Sequence, residues 1–181
     1  MDISPSLAST NERLQKLSRQ LGAALSSRSW MLVTAESCTG GGIAAAITDI
    51  EGSSQWFERG FVTYSNQSKQ EMLGVSKSTL AEKGAVSESI VTEMTAGALA
   101  SSRAQIAVAV SGIAGPAGGT PDKPVGMVCL AWQILGEKPV SKIEYFKGDR
   151  AAIRHQAIES ALRGLLEMLP VAGKSSALTR S

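Results

Sequence analysis

Histidine is nearly missing from this chain: His155 is the single one among 181 residues. A histidine-rich metal cluster is therefore excluded, and a hydroxyl or thiol nucleophile has at most one imidazole to serve it. Cysteine is scarce as well. Cys38 and Cys129 make no metal-type spacing, and nothing in a two-cysteine chain calls for a disulfide framework. Aromatic residues amount to 4%, so the core has to be packed mainly from Ala, Val, Ile and Leu. The net charge of +2 is too small to point to nucleic acid or an anionic membrane as partner. No apolar run approaches a membrane span, and the opening Met1-Asp2-Ile3-Ser4-Pro5 lacks the pattern of a signal peptide. These absences leave a reduced, cytoplasmic enzyme or binding protein as the expectation. A hydrophobic fraction of 43% with 19% charge suits one folded domain with a substantial core.

The organising stretch is Thr34-Ala35-Glu36-Ser37-Cys38-Thr39-Gly40-Gly41-Gly42. It follows the apolar run Trp30-Met31-Leu32-Val33 and precedes Ile43-Ala44-Ala45-Ala46-Ile47, which reads as a strand turning sharply into a helix. In open α/β sheets such turns lie at the carboxyl ends of strands, where ligands bind. A capped turn with no further role explains the same residues.

Around it the pattern predicts a helix over 11–26, a strand from Ser29-Trp30 into the turn, and a helix from Gly42 to about 49–52. A short helix or turn at 53–57 precedes a strand over 60–64. A helix capped by Ser65-Asn66 and ended by Gly74 follows, then a short one over 76–83. A helix over 87–103 leads to a buried central strand over 106–110, which runs into the glycine-rich loop Ser111-Gly112-Ile113-Ala114-Gly115-Pro116. Strands 126–134 and 140–146 form an antiparallel pair, and Asp149 caps a last helix reaching about residue 169. The fold class is α/β: a three-layer α/β/α sandwich around a mixed, mostly parallel sheet of about five strands. Residues 1–10 are expected as a flexible leader, 11–170 as one domain and 171–181 as a disordered tail.

Three predicted strand ends, at Ser37, at Tyr64 and at Ser111-Gly112, converge on one crevice if those strands are parallel neighbours. A serine there needs a base. His155 falls at the rim of the apolar arc of the last helix, a position that suits a partly exposed helix residue better than a catalytic base. A lysine with its pKa lowered by burial is the alternative, and Lys69, one turn into the helix after Tyr64, is best placed. An exposed helix lysine is the competing reading. Cys38 is a rival nucleophile, since a thiolate at a helix N-terminus has a lowered pKa; as a small buried residue it needs no role. Arg154 projects inside the apolar arc and Arg150 lies one turn earlier, which suits a phosphate clamp or a structural pair with Glu36 or Asp149. The loop from Ser111 matches no nucleotide fingerprint and reads as an anion nest or an ordinary tight loop.

The Thr34–Gly42 stretch, together with Gly60-Phe61-Val62-Thr63-Tyr64-Ser65-Asn66 and Val110-Ser111-Gly112-Ile113-Ala114-Gly115-Pro116, resembles the CinA C-terminal family. Gly84-Ala85-Val86-Ser87, Lys123-Pro124-Val125-Gly126 and Gly148-Asp149-Arg150 match as well, so the likeness spans residues 10–169. The chain lacks the extra N-terminal domain of the CinA proteins and so resembles the family's stand-alone nicotinamide-nucleotide amidases. The resemblance implies hydrolysis of the carboxamide of nicotinamide mononucleotide to nicotinate mononucleotide and ammonia, in pyridine-nucleotide recycling, with no metal or cofactor. It also implies a serine–lysine arrangement at Ser37 and Lys69, assisted by Tyr64. On this reading Glu36, Thr39, Gly40, Gly41, Ser111, Gly112, Gly115, Arg150 and Arg154 line the substrate site. Amides near Thr39-Gly40-Gly41, or the Ser111-Gly112 loop, would hold the oxyanion. The partner is then a small pyridine nucleotide rather than nucleic acid or membrane, and a homodimer is compatible. The runner-up is a non-catalytic nucleotide- or partner-binding module related to competence and damage responses.

Overall fold

Strands β1 (Leu32–Glu36) and β3 (Ile106–Gly112) are buried on both faces because both are covered, and they form the middle of a five-stranded sheet. The computed structural model describes residues 7–169. The sheet order is β2-β1-β3-β4-β5, with β2 at Phe57–Val62, β4 at Met127–Ile134 and β5 at Val140–Tyr145. β1 pairs in parallel with β2 and β3, whereas β4 is antiparallel to β3 and β5 to β4, so only β4 runs against the others.

Alternation along the strands divides the core in two. Leu32, Ile106, Val108, Val110, Val128, Leu130 and Trp132 face α1 (Leu7–Ser26), α2 (Gly42–Thr48) and α6 (Arg150–Met168). Val33, Ala35, Ala107, Ala109, Cys129 and Ala131 face α3 (Asn66–Leu73), α4 (Lys77–Lys83) and α5 (Glu88–Ala100). The second face is built from small strand residues, which lets α5 lie close to the sheet. A three-layer α/β/α sandwich on a mixed sheet results. Among the described residues no helix is long and apolar enough to cross a membrane.

Several element boundaries differ from expectation; β2 ends at Val62 and β3 runs on through Ser111-Gly112, and four other differences have a plain physical reason. α1 begins at Leu7, inside the stretch assigned to a leader; the rest of that leader and the tail from 171 lie outside the described residues. β1 starts at Leu32 rather than Ser29, because Ser29, with φ 53, and Trp30 close the end of α1. β2 starts three residues before Gly60. Its Glu58-Arg59 pair is a charged interruption that an edge strand tolerates, since the two side chains bond to each other at the surface. α5 stops at Ala100, where Ser101 and Ser102 turn the chain back through bonds to Gly97 and Leu99.

Gly97 decides how closely α3 approaches α5. A Cβ there would overlap the backbone carbonyl of Leu73, which cannot yield as a side-chain tip would. Gly97→Ala is therefore expected to lower stability by about 1–3 kcal/mol through overpacking, read as a shift in the denaturation midpoint with an unchanged m-value.

Candidate active site

Parallel pairing of β2, β1 and β3 brings their carboxyl ends side by side, and the turn after β1 is stitched to both neighbours. The Ser37 amide donates to the Val110 carbonyl at 3.0 Å, and the Thr63 amide donates to the Glu36 carbonyl at 2.8 Å. Gly40 and Gly41 then take φ 61 and φ 92, a left-handed pair that folds the chain sharply into α2. Ser37 sits at the crest, 8% exposed.

Lys69 arrives from α3, whose ends are firmly set. Ser65 and Ser68 form a reciprocal capping box at its start, and left-handed Gly74 closes its end. The lysine stem crosses the interior and the residue is 1% exposed. Its Nζ donates to the Ser37 Oγ at 3.0 Å and to the Thr63 carbonyl at 2.7 Å. No carboxylate contacts it; burial holds the amine below the ordinary lysine range. Serine and lysine therefore meet without a carboxylate between them.

Glu36 plays a different part from the one expected of it as a substrate contact. It is fully buried and saturated by its own chain. It accepts from the Thr39 hydroxyl at 2.7 Å and from the amides of Ile43 and Ala44 at 2.9 and 2.8 Å. The start of α2 is thus neutralised from inside and is not open to a ligand. Gly40 and Gly42 spend their amides on the carbonyls of Ser37 and Thr39. Ser111 is likewise turned away, its hydroxyl donating to the Ala85 carbonyl at 2.8 Å, and Gly112 continues the ladder to β4 opposite Val128.

Tyr64 bonds neither to Ser37 nor to Lys69. It is 60% exposed, and its hydroxyl accepts from Arg150 at 2.9 Å. Arg150 also donates to the Gly115 carbonyl at 2.8 Å, so it ties the end of β2 to the loop after β3 from the start of α6. Arg154, one turn on, donates to the Thr39 carbonyl at 2.7 Å and braces the turn that carries Ser37; its Nε is buried with no partner. Neither arginine pairs with Glu36, and Asp149 caps α6 at the Ala152 amide. His155 is partly exposed and lines a hollow of about 250 Å³ with Asp49, Arg154 and Ile158, which does not include Ser37.

Cys38 is 6% exposed, and burial, with the Glu36 carboxylate adding to it, pushes its thiol up to about 12. That reverses the expectation of a lowered thiol pKa at a helix start, because burial of the thiol outweighs the groups that would lower it. Two features escaped sequence reading. The Thr63 carbonyl that holds Lys69 is a backbone group and leaves no signal. Lys123 donates to the Lys83 and Val86 carbonyls, clamping the loop after β3 onto the α4–α5 connection, and a loop lysine does not announce its acceptors.

Comparison with known proteins gives a consistent result. The family model described as "CinA C-terminal domain" matches residues 14–169. Nicotinamide-nucleotide amidohydrolase PncC of Escherichia coli K12 is 54% identical over 156 residues, which cover 86% of this chain and 94% of that protein. The protein of the same name from Pseudomonas putida is 52% identical over 152 residues, covering 84% and 94%. The crystal structure of competence/damage inducible protein CihA from Agrobacterium tumefaciens superposes with a TM-score of 0.84 at 42% identity. It covers 92% of this chain and 98% of that one. A CinA superfamily protein from Escherichia coli gives a TM-score of 0.84 at 35% identity, covering 93% and 99%.

The Cys38 environment makes a direct prediction. At neutral pH the thiol should resist iodoacetamide in the folded protein and react on unfolding, as followed by intact mass. Cys38→Ala should keep full turnover; rapid modification of the native protein or an inactive alanine variant would contradict this.

Proposed function

The chain belongs to the CinA C-terminal domain family, and on that footing we propose that it is a nicotinamide-nucleotide amidohydrolase working through Ser37 and Lys69. The substrate on this reading is nicotinamide mononucleotide, and the products are nicotinate mononucleotide, which re-enters pyridine-nucleotide recycling toward NAD, and ammonia. The observation that carries it is the 3.0 Å contact between a buried amine and the serine hydroxyl.

With Lys69 neutral, the Ser37 hydroxyl donates to Nζ, and its oxygen attacks the carboxamide carbon while the proton passes to the amine. The tetrahedral oxyanion is assigned to the Cys38 and Thr39 amides, the ones beside Ser37 that neither the turn nor Glu36 consumes. Collapse breaks the carbon–nitrogen bond, and ammonia leaves with the proton held by Lys69. A water molecule, deprotonated by the same amine, then hydrolyses the ester on Ser37. The Thr63 carbonyl keeps Nζ in place through both half-reactions. Arg150, at the exposed rim with Tyr64, is assigned to the ribose 5′-phosphate, and the role of Tyr64 becomes that of a rim residue held by Arg150 rather than a proton relay.

A lysine with a depressed folded-state pKa binds fewer protons than in the unfolded chain between the two values. Stability therefore rises with pH across that window, and so does the fraction of active, neutral amine. kcat/KM should climb with pH through a limb below the ordinary lysine value. Ser37→Ala should cut ammonia release from nicotinamide mononucleotide by at least about a thousandfold. Lys69→Arg keeps charge and bulk but cannot become neutral, so it should be as inactive at every accessible pH. Turnover by Lys69→Arg, or no ammonia from the intact protein, would overturn the reading.

A further inference from the structure

Among the described residues the sheet ends in two open edges, and they differ in a way the catalytic reading does not use. β2 borders the candidate site, and its charges, Glu58 and Arg59, sit at a bulge where they bond to each other. β5 lies at the far edge, three strands from Ser37's strand, and exposes Val140 (51%) and Tyr145 (61%). On β5, Val140, Lys142 and Glu144, with Phe146 just beyond, point to the α6 side, where a groove of about 540 Å³ separates the strand from Glu159 and Arg163 of α6. Ser141 and Ile143 point to the α5 side, and the Ser141 hydroxyl donates to Glu88 at 2.9 Å.

We infer that β5 is the contact surface for a second copy of this chain, the two β5 strands pairing antiparallel about a two-fold axis at Ile143 to make one continuous sheet. Such an axis, perpendicular to the sheet, keeps each face on its own side, so only residues of equal face can oppose each other. Centring on Ile143 sets Lys142 against Glu144 of the second copy twice, and Val140 against Phe146 twice. On the other face it sets Ser141 against Tyr145. Moving the centre by one residue to Lys142 or Glu144 puts like charges on the axis, so charge selects the register.

Lys142 and Glu144 already form an ion pair within the strand. The two-fold closes their two pairs into a ring of four alternating charges. An edge lysine ordinarily discourages pairing; here the glutamate two residues away converts it into a self-complementary element. β2 offers no such register: a bulge at Glu58 interrupts its pairing, and its Glu58 and Arg59 are already bonded to each other. The groove beside β5 gives room for the facing Val140 and Phe146 side chains.

The test is a charge exchange read by sedimentation equilibrium and native mass spectrometry. Wild-type protein should be dimeric. Lys142→Glu and Glu144→Lys each place two like-charge pairs across the axis and should weaken association at least about tenfold. The double variant should recover the dimer. Mixing the two single variants should yield a heterodimer, because each then supplies the charge the other lacks. All variants should keep wild-type turnover per chain, which shows that they fold. A monomeric wild type would overturn the inference, as would single variants that dimerise as tightly as wild type or folded single variants that fail to combine.

Discussion

A lysine amine held out of water against a serine hydroxyl sets the terms for this molecule. An ammonium group buried without a carboxylate is costly, and the fold meets that cost by favouring the neutral form. The neutral form is also the only one able to take a proton from serine. On the proposed mechanism, destabilisation of the charge and readiness for catalysis are one physical fact. The surrounding structure is arranged to prevent escape: the Thr63 carbonyl anchors Nζ, capped ends fix α3, and close approach at Gly97 holds that helix against α5.

Glu36 is the second buried charge, and it is satisfied differently. Its carboxylate accepts from Thr39 and from two amides of α2, with no cation in contact. The Ser37 turn is therefore pinned from below by a carboxylate, from the side by Arg154, and along both edges by ladder bonds to Val110 and Thr63. Such a turn needs little reorganisation when charge develops at a bound amide. Cys38, one residue from Ser37, points into the core, where burial, with the Glu36 carboxylate adding to it, raises its thiol pKa.

How far this was legible in the residues depended on whether a side chain or a backbone atom carried the signal. Apolar periodicity and capping residues announced the helices, and the run Ile106-Ala107-Val108-Ala109-Val110 announced a central strand. Scarcity of histidine directed attention from Ser37 to Lys69, and the fold places the two side by side. Glu36 was misjudged because a carboxylate in a glycine-rich turn looks the same whether it faces a ligand or a helix start. Arg150 and Arg154 read as a phosphate clamp or as partners of Glu36 or Asp149; their contacts within the chain are a phenol and carbonyls, groups no spacing rule reports. The start of β2 was missed because Glu58-Arg59 satisfies itself at a sheet edge.

The central claim is that Lys69 is neutral when Ser37 attacks. Nuclear magnetic resonance of the lysine side chains, with Lys69 assigned from its absence in Lys69→Arg, measures its titration directly. The account predicts a pKa below that of the other lysines, coinciding with the pH limb of turnover. A Lys69 that titrates with the exposed lysines or above them would contradict it.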